Sequence, residues 1–199
     1  RFTAHASTSD VVGNVTGNAV TEAISGQGTG INTVTGGTLK IALDTTVAPA
    51  TNALVNAGQT DYTLGAVTLK AEDETQKVTA LRLWLEGTSS STDVRNVRVY
   101  LDGATTALVS NLSMLRDPGD DNGAYIDWSS PDKLFEIESG ATRKLKFVAD
   151  VSVVGITKIG NDIRLDIDES YQVTSTGKFT NTAATRTLLS ENGITHTIQ

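Results

Sequence analysis

The chain has 199 residues, 23 Asp plus Glu against 16 Lys plus Arg, a formal charge of -7, 18 Gly and no Cys. That length fits one core with an appendage, the acidity excludes nucleic-acid binding built on phosphate neutralisation, and the missing Cys excludes disulfides, thiolate nucleophiles and Cys-ligated zinc. No run approaches the roughly 18 apolar residues that span a bilayer, and the start shows neither Met nor a signal-like apolar core, so we expect a soluble, processed chain without a membrane span.

Residues 1–36 are rich in Gly, Thr, Ser and Asn and hold only short apolar runs. They cannot build a core alone. Their β-branched residues Val11, Val12, Val15, Val20, Ile24, Ile31 and Val34 suit a strand laid on another surface, which makes this segment an extended N-terminal arm and a candidate donor strand. Residues 37–199 form the expected domain.

From Gly37 the pattern has period two. TLKIALD puts Leu39, Ile41 and Leu43 on one face, and DYTLGAVTLKAE does the same with Val67, Leu69 and Ala71. TQKVTALRLWLEG turns Leu81, Leu83 and Leu85 one way and Trp84 the other; the intervening EDET reads as the turn of a hairpin. VRNVRVYLDG points Val97, Val99 and Leu101 inward and Tyr100 outward. Its Asp102-Gly103 pair suits a tight turn before TTALVSNLSML. AYIDW and KLFEIESG give short strands, TRKLKFVADV and NDIRLDIDE alternate cleanly, and YQVTSTGKF and TRTLLSENGITHTIQ close the domain, the last with a turn at Asn192-Gly193.

About nine to eleven short strands bounded by Gly, Asn, Asp and Ser indicate an all-β fold, an antiparallel β-sandwich of Ig-like or jelly-roll-like kind. The acidic AEDET turn with its flanking strands, VRNVRVYLDG, and LFEIESGATRKLKFVADVSV, in which Ile137, Gly140, Leu145, Phe147, Ala149, Asp150 and Val151 carry the hairpin, together resemble β-sandwich modules of prokaryotic cell-surface and S-layer-like proteins. With the arm added, the chain also resembles donor-strand-exchanging extracellular filament subunits. The resemblance implies an extracellular, cell-surface location and a structural or adhesive role.

Candidate sites are few. Asp117, Asp120, Asp121, Asn122 and Asp127 crowd the segment after SML; they read either as solvated turn residues or as oxygen ligands for calcium, which needs six to eight such donors. No cofactor is required. The two histidines, His5 and His196, lie near opposite ends, which leaves little to build a catalytic triad, so no enzymatic activity is expected. Asn14 and Asn111 each open an N-x-S/T sequence and are candidate glycosylation acceptors. Outward Trp84 and Tyr100 suit an interface or a sugar-binding platform. The expected function is a structural subunit of a filament, pilus or surface array that polymerises head-to-tail with itself through the arm. The alternative is a carbohydrate-binding or adhesive module whose partners are glycans or cell-surface polysaccharide.

Overall fold

The computed structural model describes residues 36–47, 53–87, 90–116 and 124–199. The arm residues Val11 to Val34 and the sequence around Asn14 lie outside these described residues, as do Asp117, Asp120, Asp121 and Asn122.

Alternating sequence becomes alternating burial. Strand β1 (Thr38–Asp44) buries Leu39, Ile41 and Leu43, and β4 (Gln76–Gly87) buries Leu81, Leu83 and Leu85 while its intervening side chains face outward. The other strands among the described residues are β2 (Ala53–Val55), β3 (Tyr62–Glu72), β5 (Val94–Leu101), β6 (Val109–Leu112), β7 (Met114–Arg116), β8 (Ala124–Ser129), β9 (Phe135–Ile137), β10 (Thr142–Val151), β11 (Asp162–Asp166), β12 (Val173–Gly177), β13 (Thr185–Ser190) and β14 (Asn192–Ile198).

They form two sheets packed as a sandwich. The first runs β13-β1-β3-β10-β5-β6 and the second β2-β14-β11-β4-β8-β7. Strand β4 is the spine of the second sheet: β9 and β8 share one of its edges, β12 and β11 the other. Leu39, Ile41, Leu69, Leu145 and Phe147 from the first sheet, and Leu81, Leu83, Leu85, Ile126, Ile163 and Leu165 from the second, are no more than 1 % exposed and fill the space between. Nearly all pairings are antiparallel, as the alternation leads one to expect; β1 with β13 and β2 with β14 are parallel.

Two expected turns serve a different purpose. The EDET segment is not a hairpin, because β3 and β4 belong to different sheets. Its Glu74 carboxylate accepts hydrogen bonds from the backbone N–H groups of Phe179 at 2.6 Å and Thr180 at 2.8 Å, beyond β12, and so ties the turn to the second sheet. Likewise the chain passes from β13 in the first sheet to β14 in the second at Glu191, and Asn192 and Gly193 lie inside β14. The Asp102-Gly103 turn does join a hairpin, β5 to β6, with φ of 49° and 78° at the two residues. In β3 the buried parity switches between Leu64 and Val67, where the pairing with β10 slips by one residue at Phe147/Val148.

One polar pair bridges the sheets inside the core. His196 of β14 is 1 % exposed and Tyr62 of β3 is 7 % exposed. The His196 Nε2 donates to the Leu64 carbonyl at 2.9 Å, so Nδ1 is left to accept from the Tyr62 hydroxyl, also at 2.9 Å. Burial pushes the imidazole pKa below its ordinary 6.5 and the Tyr62 hydroxyl up to about 12. The unfolded chain therefore takes up a proton below pH 6.5 that the folded chain resists, and stability contributed by neutral His196 is present above pH 6.5 and lost as pH falls.

Two measurements follow from this packing. Leu83→Ala should lower unfolding free energy by about 3 kcal/mol in urea titrations, through lost burial plus a cavity. Between pH 7 and 5 the wild-type chain should lose stability faster than His196→Gln; parallel pH profiles for the two would show that His196 is not buried neutral.

Candidate functional site

The outward residues of β4 meet the outward residues of β8 across an antiparallel register that pairs Arg82 with Asp127 and Trp84 with Tyr125. Residues opposite one another on such a pair share a face. The Trp84 and Tyr125 rings stand 5.2 Å apart at 63°, edge to face, and the Arg82 guanidinium lies over the Tyr125 ring at 4.7 Å. Arg82 donates to the Asp127 carboxylate at 2.6 Å, and this hydrogen bond holds the guanidinium pKa above its usual value. Leu115 of β7 pairs with Tyr125 and continues the apolar row to the sheet edge, 42 % exposed.

On its other side Trp84 pairs with Asp166 of β11. Asp166 is 1 % exposed and is held by both Nε and a terminal nitrogen of Arg164, each at 2.7 Å, and by the Gly193 N–H at 2.9 Å. Asp166 is thus buried beneath its ion pair, because the partly exposed Arg164 on the same strand folds over it. A single turn of 3-10 helix at Ser170–Gln172 lifts Tyr171 beside this face, 64 % exposed. A shallow pocket of about 150 Å³ lies between Ala80, Arg82, Asp127, Tyr171, Gln172 and Thr174.

Tyr100 is elsewhere. It lies on β5 in the first sheet, paired with Lys146, whose ammonium is 5.1 Å from the ring centroid. Trp84 and Tyr100 are both outward, as parity implies, but they belong to opposite sheets and cannot share one platform. Asp127 is engaged by Arg82, and among the described residues no three His, Asp or Glu side chains come together to hold a metal ion. Asn111 is exposed on β6. Tyr125, Leu115 and Tyr171 escape a reading of the sequence, although the alternation of AYIDW between buried Ala124 and Ile126 already turns Tyr125 and Asp127 outward. What the sequence lacks is the β4 to β8 register.

A second exposed apolar group lies at the end of the sandwich. Val153, Val154, Ile156 and Ile159 are 47 % to 66 % exposed on a loop closed by hydrogen bonds from Ile156 and Thr157 N–H to the Val153 carbonyl. It has neither an aromatic ring nor an Arg, the residue types that anchor protein interfaces. The β4 to β8 face has both.

No protein-family model matches the sequence, and no curated protein is similar to it. Among solved structures, CaCohA2 from Clostridium acetobutylicum in solution is similar at 12 % identity over 82 % of this chain and 92 % of that one, with a TM-score of 0.35. The crystal structure of a CaDoc0917–CaCohA2 complex is similar at 13 % identity over 81 % and 99 %, with a TM-score of 0.36. The expected self-assembling homopolymer is set aside: it finds no counterpart there, where CaCohA2 is paired with a different protein, CaDoc0917. Within the described residues of this chain, moreover, the sheet position beside β1 is occupied by its own β13.

Because Asp127 serves Arg82 in a pair that is 41 % and 36 % exposed, its removal should be cheap. Asp127→Ala should cost about 0.5 kcal/mol, equally in calcium and in excess chelator; a melting-temperature loss seen only in calcium would instead make Asp127 a ligand.

Proposed function

We propose that this chain is an adhesive β-sandwich module of an extracellular, cell-surface protein, and that it binds a different protein through the outer face of β4 and β8. The observation that carries this reading is the row Leu115, Tyr125 and Trp84 with Arg82 stacked on it and Tyr171 standing beside it. Trp, Tyr and Arg dominate binding hot spots because each offers large, rigid contact area together with a polar atom that fixes register. The core beneath is closed by leucines, so the aromatic side chains of this row are not needed to fill it.

The angle between the rings favours a protein partner over a polysaccharide. A sugar platform stacks flat pyranose faces on coplanar rings, whereas Trp84 and Tyr125 meet at 63° and form a corrugated surface. Corrugation suits side chains of a protein partner that enter between the rings and the pocket beside Tyr171. The role is binding rather than catalysis.

The test uses the purified chain, immobilised, with proteins extracted from the surface of its source cells. A defined heterologous polypeptide should be retained by wild type, and Trp84→Ala or Tyr171→Ala should weaken its Kd at least about tenfold, equivalent to about 1.4 kcal/mol, without a matching fall in melting temperature for Tyr171→Ala. Equal retention by both variants, or retention of the chain only on insoluble polysaccharide, would contradict the reading.

A further inference from the structure

Strand β6 is an edge of the first sheet and pairs only with β5 among the described residues. Its register slips: Val109 pairs with Val99 and Leu112 with Val97, so Ser110 and Asn111 together oppose the single residue Arg98. That is a β-bulge. Val109 and Leu112 on either side are partly buried against the core, while Ser110 and Asn111 are exposed, and Asn111 has a φ of 59° in the left-handed region that Asn tolerates. Ser113, the one residue between β6 and β7, is exposed as well. Asn111, Leu112 and Ser113 are an N-x-S sequence. The structure therefore presents its acceptor amide and its hydroxyl to solvent while the middle residue anchors the segment.

We propose that Asn111 is an N-glycosylation acceptor, an inference that rests on the extracellular location proposed above but not on the β4 to β8 face. The co-reactant is a lipid-diphosphate-linked oligosaccharide. The Asn111 Nδ2 forms a bond to the sugar C1, the C1–oxygen bond to the diphosphate breaks with its electron pair leaving on the lipid diphosphate, and the amide releases one proton. The attached glycan stands over the β6 edge, which has no second partner strand among the described residues. An unpaired strand edge invites pairing with another chain, and a bulky solvated group on its bulge obstructs that approach.

The experiment is peptide mass spectrometry of the chain isolated from the extracellular fraction of its source cells. Trypsin releases Val99–Arg116, which contains no other Lys or Arg and no other acceptor sequence. The expected result is this peptide carrying a glycan as its main form, with amidase release converting Asn111 to Asp. Ser113→Ala should abolish the modification, and Ser113→Thr should keep it. An unmodified Val99–Arg116 peptide from extracellular protein, or a glycan retained in Ser113→Ala, overturns the proposal alone. Chain found only inside the cells overturns the proposal together with the extracellular reading.

Discussion

Strand β4 constrains both the inside and the outside of this protein. It carries neighbours along both edges for most of its length, and its leucines at 81, 83 and 85 are buried while Arg82 and Trp84 between them face outward. Because strand side chains alternate with a period of two, a slip of one residue would put Trp84 into the core and three leucines into water. Burial of those leucines is worth roughly 1.5 to 3 kcal/mol each, so the register is held firmly. The outer face of the strand inherits that rigidity. Its aromatic and guanidinium groups are positioned by the core on the other side of the same strand.

The second sheet is locked to the first by shape and by a buried polar contact. Leucines from either sheet are interchangeable in chemistry, whereas the chain from Tyr62 through His196 to the Leu64 carbonyl satisfies its buried donors and acceptors only in one relative placement of β14 and β3. Breaking it would leave a buried hydroxyl or ring nitrogen without a partner, which costs about 1 to 3 kcal/mol. The same logic applies at the rim, where Glu74 holds the loop after β12 and makes the passage from β3 to β4 a crossing between sheets.

Much of the fold is legible in the sequence because alternation is a local property. Strand positions, inward faces and the Asp102-Gly103 hairpin can be read from residue order alone. Pairing is not local. The acidic turn at Glu74 reads as a hairpin because a short polar turn between alternating segments looks alike whether the chain stays in one sheet or changes sheets. Trp84 is legible as outward for the same local reason, yet its neighbour Tyr125 lies 41 positions further on and is brought to it by register. Parity alone also groups Trp84 with Tyr100, which sheet assignment separates. His196 reads in the sequence as an end residue remote from any triad, yet it is an internal polar link, a role that sequence position does not disclose.

The central claim is that the outer face of β4 and β8 meets a partner protein. Hydroxyl-radical footprinting tests it directly, since the surface aromatics are themselves the reporters and are divided between the two sheets. With the chain bound to cell-surface protein preparations, oxidation of Trp84, Tyr125 and Tyr171 should fall several-fold while Tyr100 and Phe179 react as in the free chain. Protection of Tyr100 with Trp84 and Tyr125 unchanged would place the contact on the first sheet and contradict the account.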